Sequence, residues 1–60
     1  MAATFEIYKD SKGEFRFRLK ASNGQVVATG ESYPTKSGVQ AGIEAVKRAA
    51  SAASVADLTQ

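Results

Sequence analysis

Sixty residues allow one small domain, taken as 1–60. A chain this short buries only about 60% of its unfolded surface, so pairing with a second copy is the natural remedy. The absence of cysteine and histidine excludes disulfide staples, the standard zinc sets, thiol nucleophiles and the commonest general base. The net charge of +2 falls short of a dedicated nucleic-acid tail, and no apolar run approaches the ~18 residues of a membrane span. With no signal-peptide layout in MAATFEIYKD, the expectation is a cytoplasmic, non-enzymatic protein with no cofactor, no metal and no membrane partner.

Thr4 to Lys9 reads as a first strand, with Phe5 and Ile7 inward and Glu6 and Tyr8 outward. Asp10-Ser11-Lys12-Gly13 fits a type I turn whose glycine takes a left-handed conformation and makes a bulge. The register that follows sets Ile7 opposite Phe17 and Phe5 opposite Leu19. On the outer face it sets Glu6 opposite Arg18, an ionic pair, and Tyr8 opposite Arg16, a cation–π pair.

The second strand alternates strictly. Phe15, Phe17, Leu19 and Ala21 fall on one side, and Arg16, Arg18 and Lys20 on the other. Asn23-Gly24 marks a second hairpin. A two-residue turn pairs Ser22 with Gln25 and Leu19 with Ala28, turning Val26, Ala28 and Gly30 inward. A three-residue turn would bring Val27 and Thr29 inward instead. The first register is preferred. Gly30 suggests a bulge or the close approach of another backbone.

Pro34 ends the sheet, and a helix should begin just behind it. Ser37 with Gln40 fits a capping box, with Thr35 the competing cap. Val39, Ile43, Val46 and Ala50 form one helical stripe, expected to pack on Phe15, Phe17 and Leu19. Gly42 beside that stripe costs about 1 kcal/mol relative to Ala and is expected to let the helix sit close to the sheet. Residues 49–54, AASAAS, form a connector. Val55, Ala56, Asp57, Leu58 and Thr59 read as a last short strand, which needs an existing sheet edge to be stable.

FEIYKD, the RFRLKASNG block and GIEAVKRAA followed by VADLT together resemble the YegP-like family of small bacterial proteins, a family without assigned function. The likeness runs from Phe5 to Thr59. It implies an α+β fold, a three-stranded antiparallel meander with one helix and a short C-terminal strand (β-β-β-α-β). It also implies a homodimer in which two units form one sheet and exchange residues 55–59. The family supplies no catalytic or ligand residues to carry over.

The chemistry left in the chain is sparse. Asp10 and Glu14 flank a turn, and turn geometry accounts for Asp10. Gly13, Gly24 and Gly30 match no phosphate-cradling loop. The row of Arg16, Arg18 and Lys20, with Tyr8 beside it, is the best candidate contact face for nucleic acid or a protein partner. Its simplest reading is a solvated face partly neutralised by Glu6 and Glu31, with nucleic-acid binding as the lesser alternative.

Overall fold

The computed structural model describes residues 2–59. The first turn fixes the first hairpin. Asp10 Oδ1 accepts hydrogen bonds from the backbone N–H groups of Lys12 and Glu14 at 2.9 and 3.0 Å. Gly13 takes a φ of 81°, a conformation open to glycine at little cost. Strands β1 (Thr4–Lys9) and β2 (Phe15–Lys20) then pair in the expected antiparallel register, Phe5 with Leu19, Glu6 with Arg18, Ile7 with Phe17 and Tyr8 with Arg16.

The second hairpin corrects the expected turn. Ala21 N–H donates to the Gln25 carbonyl at 2.8 Å, and Gly24 N–H donates to the Ala21 carbonyl at 2.9 Å. Ser22, Asn23 and Gly24 therefore make a three-residue loop. Gly24 alone carries the positive φ, 86°, and Asn23 does not. Asn23 serves instead through its side chain, accepting from Gln25 N–H at 3.0 Å. Strand β3 (Val26–Thr29) nevertheless keeps Leu19 opposite Ala28, because the register shifts between the Leu19–Ala28 and Lys20–Val26 pairs. That bulge absorbs the extra loop residue. The sheet order is β1-β2-β3, and the chain touches β2 once more through the Phe15–Tyr33 bridge.

Gly30 shows why the register holds. Its N–H donates to the Phe17 carbonyl at 3.0 Å, and a Cβ there would overlap the Phe17 ring. No other residue allows the backbone so close to that aromatic side chain.

Helix α1 spans Lys36–Ala52. Thr35, the competing cap, is the one that operates: its side chain accepts from Gly38 N–H at 3.0 Å, with an extended φ of −130°. The expected Ser37 box does not form at the start, since Ser37 is already inside the helix. The helix runs through most of the 49–54 connector, as its alanines favour.

The core is small. Phe17, Val39 and Ile43 are buried, with Phe5, Phe15 and Tyr33 packed around them. The Phe5 and Phe17 rings meet edge-on at 5.8 Å, and Phe17 and Tyr33 stack at 6.5 Å. Gly42 faces the Tyr33 phenol, where a Cβ would overlap its hydroxyl and ring. Val46, expected in the core, is 36% exposed. The helix rests chiefly over β2, so its second half projects beyond the packed region.

The expected short strand over 55–59 is not formed. Residues 53–59 have no regular structure, and Val55 and Leu58 are 96% and 87% exposed. The physical reason is that no sheet edge lies beside them in the single chain, and a five-residue strand is unstable without one.

Candidate functional site

Alternation along β2 places Arg16, Arg18 and Lys20 together on the sheet face opposite the helix, with Tyr8 and Glu6 from β1 beside them. Glu6 joins two of the three cations. Arg18 Nε donates to Glu6 Oε1 at 2.8 Å, and Lys20 Nζ lies 3.8 Å from Glu6 Oε2. The Arg18 hydrogen bond, helped by the charge of Lys20, holds the Glu6 carboxyl below its ordinary range.

The cation–π pairing differs from the expected one. The Arg18 guanidinium, diagonal to Tyr8, sits 4.9 Å from its ring centroid. Arg16 is taken up elsewhere: its Nη2 donates to the Gly30 carbonyl at 3.1 Å. Its Nε is buried with no hydrogen-bond partner. Among the described residues Arg16 makes no ion pair, with Glu31 or any other carboxylate. Among the described residues the face therefore carries three cations against the single paired carboxylate of Glu6.

A second feature lies on the other side of β1. Because α1 covers β2, the inner face of β1 stays partly open. Phe5, Ile7, Tyr8, Lys9, Phe15 and Lys36 line an open groove of about 420 Å³. Lys9 Nζ stands 5.2 Å from the Phe15 centroid, and Lys47 Nζ 6.0 Å from that of Phe5. Neither Lys9 nor Lys36 makes an ion pair among the described residues. Sequence patterning placed Phe5 and Ile7 inward but not in a groove. The signal was the width of the sheet, three strands under a single helix.

The expected dimer strand, Val55 to Thr59, holds one acidic side chain, Asp57. Asp57 Oδ1 accepts from Thr59 N–H at 3.0 Å and from the Thr59 hydroxyl at 2.6 Å. These bonds hold its carboxyl below the ordinary range. Among the described residues no three acidic side chains gather into a metal-holding group, and no helix is long and apolar enough to cross a membrane.

Comparison with known proteins agrees with the resemblance seen in the sequence. Residues 10–57 match a family model described as Domain of unknown function (DUF1508). A UPF0339 protein of Treponema denticola is 53% identical over 58 residues, covering 97% of this chain and all of that protein. A UPF0339 protein of Stutzerimonas stutzeri, in the ptx operon 5′ region, is 58% identical over 48 residues, but the match covers only 43% of its length. Among solved structures, the solution structure of a Haloferax volcanii protein superposes with a TM-score of 0.85 at 40% identity, covering 93% of this chain and 95% of that one. The solution structure of ATU0232 from Agrobacterium tumefaciens gives 0.75 at 45% identity, covering 93% and 90%.

Proposed function

Since this chain belongs to the family described as Domain of unknown function (DUF1508), we propose its role from its geometry: a non-enzymatic, self-associating module. It works as a homodimer in which residues 55–59 of each copy add to the open β1 edge of the other and lay apolar side chains into the groove beside it. The observation that carries this reading is the exposure of Val55 and Leu58, 96% and 87%, in a chain that also leaves Ile7 exposed and Phe5 partly uncovered. Large apolar groups left in water on both sides of a potential joint favour closing it, at about 25 cal/mol per Å² buried.

Three further observations support it. β1 has a strand on one side only, and an unpaired edge accepts an added strand through its main chain. The segment carries the carboxylate of Asp57 and the groove is rimmed by Lys9 and Lys36, so the charges are complementary. The Stutzerimonas relative, of which the match spans 43%, is long enough to hold two units of this size in one chain. The non-enzymatic part rests on the chemistry present, with no histidine or cysteine, Asp10 engaged in its turn and Glu6 in its ion pairs.

Sedimentation equilibrium tests the dimer. The full chain is expected at twice its 6.3 kDa, and Leu58→Asp is expected to shift it to the monomer. A wild-type monomer, or a Leu58→Asp variant that stays dimeric, overturns the reading.

A further inference from the structure

We propose that the outer sheet face binds the phosphate backbone of a single-stranded nucleic acid running along β2, through Arg16, Arg18 and Lys20. Four features of that face carry the inference. First, its charge is unbalanced, because among the described residues Glu6 is the one carboxylate paired with the row and it is shared by Arg18 and Lys20. Arg16 has no carboxylate at all among the described residues. A chain of phosphates supplies the missing negative charge.

Second, the three cations spring from one strand. All three stand on one strand at alternate positions, about 6.7 Å apart from the strand rise. That backbone interval is comparable with the advance per nucleotide of an extended single strand, and the guanidinium groups spread to either side of it, Arg16 towards Gly30 and Arg18 towards Glu6.

Third, the cations are held in place before anything binds. The Gly30 carbonyl fixes the Arg16 guanidinium, and Glu6 and the Tyr8 ring fix that of Arg18. Restricting long side chains beforehand lowers the ordering cost of binding. Fourth, Arg18 lies against the Tyr8 ring, which makes a flat cationic and aromatic platform. Single-strand binders place bases on such surfaces, irrespective of sequence.

The inference does not rest on the dimer. The proposed exchange uses the β1 edge and the helix side of the sheet, whereas Arg16, Arg18 and Lys20 stand on the other face of β2, and Tyr8 alone borders both. A line of cations on the central strand, with Glu6 on one flank, suits a single strand better than a duplex, whose second backbone would have to cross that flank.

Fluorescence anisotropy with a labelled oligo-dT tests it on the full chain. About three phosphate contacts give a slope of about −2 in log K against log salt, a loss of about 20-fold between about 50 and 200 mM salt. Arg16→Gln/Lys20→Gln leaves the Glu6–Arg18 pair intact and is expected to cut the slope to about one third. Lys47→Gln, on the helix, is expected to bind as wild type.

Equal binding by wild type and the double variant, equal losses from Lys47→Gln, or affinity insensitive to salt overturns the proposal. So does tighter binding to a duplex of the same length, or binding to phosphatidylserine vesicles without binding to oligo-dT. A second measurement uses the wild-type chain alone. Oligo-dT is expected to shift the amide resonances of Tyr8 and residues 16–20, and shifts confined to α1 overturn the assignment.

Discussion

Gly30 is locked against Phe17 twice over, by its N–H on the Phe17 carbonyl and by a ring that a Cβ would overlap. Phe17 is buried among Phe5, Tyr33, Val39 and Ile43, so its ring has nowhere to retreat from a new Cβ. Gly30→Ala is therefore expected to destabilise the fold by about 1–3 kcal/mol, as overpacking does, read from the midpoint of a urea unfolding curve. Glu6 leads to a pH prediction. Its carboxyl is held below the ordinary value of 4.5 by Arg18, so its contribution is complete above about that pH and is lost as pH falls through the lower, folded-state value. Stability curves of wild type and Glu6→Gln are expected to differ at neutral pH and to converge in acid. Arg18 is the residue whose partners the sequence made half legible. Opposition to Glu6 followed from register, whereas the diagonal approach to Tyr8 depends on strand twist and on Arg16 turning away to Gly30, neither of which a pairing rule contains.

The elements were legible where two local signals agreed. In the first hairpin, turn chemistry and alternation point to one register, and the structure has it. In the second, Asn-Gly suits both a two-residue turn and a three-residue loop with a left-handed glycine. The choice falls to the bulge in β3, which keeps Gly30 beneath Phe17. That contact is tertiary and leaves no local trace. The helix start was ambiguous for a similar reason, with two hydroxyl residues two positions apart. The structure makes a clear forecast between them: Thr35→Ala is expected to cost about 1 kcal/mol of stability, while Ser37→Ala stays within about 0.5 kcal/mol, by thermal or urea unfolding. Val46 was the misplaced member of the apolar stripe. Periodicity gives the face of a helix but not how far along its length the sheet beneath it extends.

At the scale of the molecule, the single chain is elongated, 39 × 25 × 23 Å with a radius of gyration of 13.1 Å, where a compact 60-residue domain has about 10 Å. The excess is what an unpacked C-terminal segment and a projecting helix end produce. The smallness of the core, Phe17, Val39 and Ile43, was legible in length alone. The groove on β1 was not, because it arises from the mismatch between the width of the sheet and the one helix laid on it. If the dimer closes that groove, the melting temperature is expected to rise with protein concentration, followed by circular dichroism across a hundredfold dilution. A melting temperature independent of concentration counts against the exchange.

The chain has two tyrosines and no tryptophan, and the sheet separates them. Tyr33 is stacked on Phe17 in the core, and Tyr8 lies under Arg18 on the opposite face. The protein thus carries two optical reporters, each confined to one side. In a Tyr8→Phe variant the remaining ultraviolet emission follows the core alone, and in Tyr33→Phe it follows the cationic face. Folding and occupancy of that face can then be watched as separate signals, without a label attached to either.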